Sequence, residues 1–449
     1  MSSTSPKLSA VGKLSIGAES SVGVAASMGN TAYVKCVSAD VSGLTVNAME
    51  DAHVKQRDYN TPRIIGPRTG EITTSHYMSG YSSDGASIAA APPFAAPLVD
   101  GGAGSIDGFQ MLISALGSAL GGAMAGGFAN DVDTATSTTD AINCTAGTGS
   151  TPFTVGQGVS WIDANGVGHV GYAKQVTAGT VSLLQVAKTG AEVRNEAGGG
   201  ADDGRLYGSY TCYQATGDAY HDNTTACKSY TIYWQGLDSD DSITAVGCYP
   251  TSFSISAAVG EMPLISITWG VSHWTESGSG GLGGGAAVEA WPHPLCEPFS
   301  SGGWVTHGST QNNPMRISSL DVDLQMNRPP IKDASFSSGV GGFGPVTRAP
   351  KVSFTVFRDF SEEVTDFLNQ QDTYDSSSIY SFTFGSQPGK MCNILVPNGR
   401  IESYPARGDE DGAVTSTVDV LACHYDGDTG ATPTDQSTPI DSDFRISFS

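Results

Sequence analysis

Phe253-Ser-Ile-Ser-Ala257 and Ile265-Ser-Ile-Thr-Trp269 carry an apolar side chain at every second position, with Ser or Thr between. A period of two puts successive side chains on opposite faces of an extended chain, so each stretch reads as a strand with one covered and one polar face. A turn at Gly260-Glu261 joins them into a hairpin after Pro250. The same pattern recurs on either side. Tyr33-Val-Lys-Cys-Val37, Leu44-Thr-Val46 and Ile72 to Met78 read as strands upstream, and Lys351-Val-Ser-Phe-Thr-Val-Phe357 downstream. Composition agrees with a mainly β chain. Of 449 residues 57 are Gly, charged residues make up 15%, and 39% hydrophobic content with 16 Phe, 16 Tyr and 6 Trp suffices for real cores. Gly has no three-residue period, which excludes collagen.

A repeated order of elements sets the organisation. Ser42 to Met49 is followed by a long polar connection, Gly66-Pro-Arg-Thr69 and a strand through Tyr77. Ser319 to Met326 is likewise followed by a long connection, Gly344-Pro-Val-Thr347 and the strand of 351–357. Each hairpin leads toward a short amphipathic helix. The first is predicted over 106–120, with Phe109, Leu112, Ile113, Leu116 and Leu120 on one face. The second is predicted from the N-cap Ser361, with Glu362 and Glu363 in its first turn. A second hairpin follows each helix, turning at Gly260-Glu261 in one case and at Gly408-Asp409 in the other. Between the first helix and its second hairpin, Phe153 to Trp161, the dipeptide Asn165-Gly166, His169 to Tyr172 and Thr180 to Val186 read as an inserted small β domain. The expected layout is an N-terminal arm over 1–30 and a first domain over 31–130 and 246–300. The insert is expected over 131–245, a second domain over 301–423 and a C-terminal arm over 424–449. The arms are expected to be held by other subunits, since such segments stay loose unless tied down.

Charge and cysteine usage narrow the function classes. With 22 Lys and Arg against 45 Asp and Glu the net charge is −23, unsuited to gripping nucleic acid, whose phosphates are held by cations. Eight cysteines lie scattered without a CxxC pair, which is neither a disulfide framework nor a zinc ribbon. Cys212 and Cys227 with His221 lack a fourth ligand at suitable spacing. The start of the chain has no long apolar h-region, so synthesis and folding in a cytoplasm are expected. The uncharged stretch Gly108 to Asn130 holds six Gly among its 23 residues and reads as the soluble helix and a loop, so no membrane partner is expected.

No catalytic constellation stands out. Gly339-Val-Gly-Gly-Phe-Gly344 matches GxGxxG, but Pro345 follows at once and no βαβ frame surrounds it, so it reads as a hairpin loop. Asp238-Ser-Asp-Asp241 and Asp409-Glu-Asp-Gly412 lack EF-hand spacing, and the eight His form no HExxH. Catalytic residues, cofactor and metal are all expected to be none. The basic residues cluster in the two long connections: His53, Lys55, Arg57, Arg63 and Arg68 in the first, and Arg328, Lys332 and Arg348 in the second. Lys55, Arg57, Arg63, Arg68, Arg328, Lys332 and Arg348 are therefore candidate contacts to acidic surfaces of neighbouring rings or subunits, in loops stiffened by Pro62, Pro67, Pro329, Pro330 and Pro345. A solvated loop is the alternative.

Together with Leu14-Ser-Ile-Gly-Ala-Glu-Ser-Ser-Val-Gly23 near the start, the hairpin with its long loop, the short helix and the Gly260 and Gly408 hairpins, the chain resembles the tail tube (major tail) proteins of long-tailed bacterial or archaeal viruses. The resemblance spans nearly everything outside 131–245 and rests on an order of elements. It implies two tandem tube-type β-sandwich or incomplete-barrel domains, each with a short helix, in a structural virion protein that is not an enzyme. It further implies homotrimeric, pseudo-hexameric rings stacked into a tube and capped by other tail proteins. The genome would pass through the lumen without specific binding, after assembly in the host cytoplasm. An exposed insert points to a non-contractile tail. Two competitors remain open: a β-rich extracellular surface, adhesion or virion decoration protein, and a carbohydrate-active enzyme.

Overall fold

Alternating apolar and hydroxyl residues between glycine turns favour strands over helices, and among the described residues strands account for almost all of the regular structure. The computed structural model describes residues 13–26, 36–49, 64–78, 115–120, 129–131, 141–143, 156–162, 168–177, 180–184, 205–208, 210–214, 229–236, 242–277, 303–307, 311–315, 317–336, 338–344, 347–357, 378–385, 391–402, 406–423, 425 and 442–448. The first strands are β1 (Lys13–Ala18), β2 (Ser38–Asp40), β3 (Thr45–Met49), β4 (Ile64–Tyr77) and β5 (Gly117–Leu120). Next come β6 (Ala129–Asp131), β7 (Ala141–Asn143), β8 (Gly158–Ile162), β9 (Gly168–Thr177), β10 (Thr180–Leu184) and β11 (Arg205–Gly208). They are followed by β12 (Tyr210–Gln214), β13 (Tyr230–Gln235), β14 (Ser242–Ala258) and β15 (Leu264–Ser277). After these lie β16 (Gly303–His307), β17 (Gln311–Met315), β18 (Ile317–Asp323), β19 (Pro330–Lys332), β20 (Val340–Phe343) and β21 (Lys351–Phe357). The last are β22 (Ser378–Phe384), β23 (Cys392–Ile401), β24 (Ala406–Glu410), β25 (Ala413–Ala422) and β26 (Arg445–Phe448).

Eighteen strands belong to one branched sheet, β6 to β11 form a separate six-stranded sheet in the order β6-β11-β8-β9-β10-β7, and β19 pairs with β20. Among the described residues the pairings close no barrel. Within the large sheet one set of pairings occurs twice. In the first half β1 pairs with β13, β13 with β14, β14 with β15, β15 with β4 and β4 with β2. In the second half β16 pairs with β22, β22 with β23, β23 and β24 with β25, β25 with β21 and β21 with β18, all antiparallel. The halves join where residues 254–258 of β14 pair with residues 319–323 of β18.

Each half buries aromatic side chains against one another. Tyr230 of β13 meets Trp269 of β15 edge-on at 5.5 Å between ring centroids. In the second half Phe354 of β21 meets Phe382 at 5.3 Å and Tyr380 at 6.0 Å, both on β22. Trp269, Phe354, Phe382 and Tyr380 are fully buried in one continuous core. Truncating a ring of this kind to Ala removes about 3–5 kcal/mol.

Several sequence expectations change. Of the helix predicted over 106–120, residues 106–114 lie outside the described residues, while Ala115 and Leu116 are helical as expected and both are buried. Residues 117–120 are β5, extended by pairing with residues 211–214 of β12. The helix expected from Ser361 also lies outside them. The turn expected at Gly408-Asp409 falls three residues later, because Asp411 and Gly412 take φ of 50° and 82°, a positive pair that the Asp-Gly dipeptide accommodates. Both ends of the chain, expected as arms held by other subunits, contribute strands to their own sheet. β1 pairs along β13, and β26 lies between β12 and β23 with all four of its residues buried. Strands β12 and β13, within the span expected as the insert, pair into the large sheet.

Candidate assembly surface

The alternation that buries Phe253, Ile255, Ile265, Ile267, Val352 and Phe354 turns the intervening residues to the opposite face. That face is polar from one half to the other. Ser75 and Ser266 share a hydrogen bond of 3.0 Å, and Thr73 and Thr268 one of 3.2 Å, between β4 and β15. Across the second half, the Ser353 hydroxyl donates to Asp419, and Lys351 Nζ reaches Glu402 at 2.8 Å and Asp419 at 3.2 Å. At the junction of the halves a groove of about 460 Å³ is lined by Ser252, Ser254, Ser256, Asp321, Asp323 and Lys351, among others. Partial burial raises the Asp321 carboxyl above its ordinary range. The surface is rich in hydroxyls and carboxylates, with Lys351 held by two of the acids. Such a face has little affinity for polyanions.

A clasp crosses the same junction. The connection between β18 and β21 carries β19 and β20 back onto the first half, where Phe343 lies 5.7 Å from Tyr249. Gly270 makes room for it, since a Cβ there would lie 2.5 Å from the Phe343 ring. Arg328, 5% exposed, stacks over Tyr249 at 5.5 Å.

The candidate contact residues therefore have varied fates. Lys55, Arg57 and Arg63 lie outside the described residues. Arg68 is half-buried on β4 with its guanidinium 5.2 Å above Trp274. Arg328 is buried in the clasp, and Arg348 donates to the carbonyls of Ala115, at 3.0 Å, and Leu116. Lys332 is exposed at the end of β19 beside Ile331. The Gly339–Gly344 motif forms β20 and its turn, without a helix behind it.

Two buried polar clusters brace this surface. The Glu19 carboxylate, 5% exposed, accepts four hydrogen bonds: from Gly23 N at 2.8 Å, Ser229 Oγ at 2.6 Å, Thr231 Oγ1 at 2.9 Å and Gly247 N at 2.8 Å. Gly247 has φ of 61°, and a Cβ there would meet Ser272 Oγ at 2.7 Å. Burial, and then the Glu19 charge, hold the Cys248 thiol well above its usual range. In the second cluster Tyr172 of the six-stranded sheet donates at 2.8 Å to Asn393 Oδ1, whose amide donates to Ser381 and Thr383. Burial pushes the Tyr172 phenol far up, so it remains a neutral donor. Arg445 lies over the Tyr172 ring at 5.5 Å.

Among the described residues no three His, Cys, Asp or Glu are grouped to hold a metal, and no helix is long and apolar enough to cross a membrane. Comparison of the sequence with protein-family models and with curated proteins finds no match.

Proposed function

We propose that this chain is a structural virion protein that self-assembles into stacked rings, forming the tail tube through which a viral genome passes. The observation that carries the reading is the strand order found twice in one chain, joined edge to edge under a single polar face. In this reading each half is a tube-type sandwich or incomplete barrel, and three chains supply six such units to a ring. Other tail proteins cap the two ends of the tube. The polar face lines the channel, where hydroxyls and carboxylates let DNA slide rather than hold it by counterion release. The six-stranded sheet lies outside the ring, and the chain turns over no substrate.

Electron microscopy of the purified chain at high concentration, with mass measurement of the soluble species, tests the reading. Stacked rings with a central channel and three chains each are expected. A persistent monomer that binds or cleaves glycans would overturn the reading in favour of a surface protein or an enzyme.

A further inference from the structure

Among the described strands, one short strand stands between two larger bodies. β26 pairs with β12 on one side and with β23 on the other, and β12 pairs otherwise only with β5. Without β26, therefore, β5 and β12 have no described ladder to the rest of the large sheet. β12 also begins two residues after the end of β11, the strand from which the chain leaves the six-stranded sheet. On one side of β26 lie β5, β12 and the six-stranded sheet. On the other lie the two halves built on β14 and β23.

A period of two gives β26 two working faces. Ile446 and Phe448 join the common core, where Ile446 lies opposite Cys212 of β12 and Phe448 opposite Cys392 of β23. Arg445 and Ser447 meet the six-stranded sheet. The Arg445 guanidinium lies over the ring of Tyr172, on β9, at 5.5 Å and over that of Tyr425 at 5.9 Å. Ser447 Oγ shares a hydrogen bond of 2.9 Å with Thr211 Oγ1, which accepts from Gly158 N, on β8, at 2.8 Å. β8 comes so close that a Cβ on Gly158 would lie 2.5 Å from Ser447 Oγ. The Tyr172 hydroxyl reaches Asn393, the residue opposite Ser447, and Tyr172 shares a buried cluster with Leu395, the residue opposite Arg445. Both resting points of the six-stranded sheet are thus centred on β26.

Few backbone bonds hold this strand. β26 has four residues, whereas β14 and β15 pair all the way from Ser242 to Ser256. Structures open in cooperative units, the least held first, so a short link between large bodies gives way before the bodies do. From this we infer that β26 is a latch. It fastens the six-stranded sheet against the second half, and its release frees that sheet, together with β5 and β12, while both bodies stay folded. One strand thereby decides between a fixed and a swung arrangement of the six-stranded sheet. The device works within a single chain and does not rest on the assembly reading. β26 also follows every other described strand in the sequence, so fastening is the last of the described pairings to become possible during synthesis.

Native-state hydrogen exchange on the full chain at low denaturant tests the latch. Amides of β5, β12 and β26 are expected to share one opening well below global unfolding, while the β8–β9 and β14–β15 ladders stay protected. Two bridges to the chain's own thiols then close it. Ile446→Cys puts a thiol opposite Cys212, and Phe448→Cys puts one opposite Cys392, in directly facing pairs that suit disulfide geometry. The doubly substituted chain is oxidised in mild denaturant, where the strand opens, with the unsubstituted chain as control for its other cysteines. Once mass measurement shows both bridges, exchange in β12 is expected to slow at least about tenfold and to recover on reduction. A β26 that exchanges only through global unfolding overturns the latch. So does a β12 that still opens at the unbridged rate with both bridges in place. Bridges that fail to form overturn the strand pairing on which the latch stands.

Discussion

Glu19 shows how one side chain can tie together segments more than 200 residues apart. Its carboxylate receives donors from the loop after β1, from β13 and from β14, without a cation in the set. Replacing it by Ala leaves four buried or half-buried donors to find new partners, each costing about 1–3 kcal/mol if left unmade. Glu19→Ala is expected to lower unfolding stability by at least about 3 kcal/mol in a denaturant titration. Glu19→Gln, which keeps one acceptor oxygen, is expected to lose roughly half as much. If both variants unfold with the wild-type midpoint, this cluster does not hold the first half together. The segment Leu14 to Gly23 stood out in the sequence, yet nothing there assigned Glu19 a role. Three of its four donors come from residues 229, 231 and 247, and only the pairing of β1 with β13 and of β13 with β14 brings them near.

At the scale of elements, the clasp of β19 and β20 depends on Gly270, since Phe343 occupies the space of a side chain there. Gly270→Ala is expected to lift the hairpin from β14 and β15 and to cost about 1–3 kcal/mol, the range for overpacking. Faster hydrogen exchange at residues 330–343, with the β21–β25 ladder unchanged, would show the effect to be local. Unchanged exchange throughout would mean that the clasp tolerates the methyl group. Strand identity was largely legible in the sequence, because Phe253–Ala257, Ile265–Trp269 and Lys351–Phe357 have one buried face each and a period of two reveals it. Boundaries were less legible. The Gly408-Asp409 turn competed with Asp411-Gly412, and the pair that tolerates positive φ at both positions prevailed. Moving a two-residue turn by three positions shifts the pairing of β24 by six residues, an even number, so its faces are kept while its partners change. Residues 117–120 lost their helical expectation to pairing with β12, a tertiary contact that no local pattern announces. The basic side chains were legible as clusters but not as contacts: Arg328 turned inward onto Tyr249, while Lys332 stayed exposed.

For the whole molecule, net charge opposes association. Each chain carries −23, so copies drawn together repel one another. Raising ionic strength from about 0.01 M to 1 M shortens the screening length from about 30 Å to about 3 Å. Sedimentation at fixed protein concentration is expected to show the assembled fraction rising over that range. A fall would mean that attraction between opposite charges drives assembly instead. The twice-used strand order has a further consequence, for the time course of folding. The first half is interrupted by the six-stranded sheet and the second is nearly contiguous, so equivalent pairings close very different lengths of chain. The segment from Ala18 to its partner Tyr230 is about threefold longer than that from His307 to its partner Ser378. With about 0.6 kcal/mol for each doubling, the longer closure costs about 1 kcal/mol more entropy, equivalent to about a fivefold slower step for the same topology. The chain thus carries a fast and a slow version of one architecture, and the downstream half, although synthesised last, is the one placed to act as the nucleus.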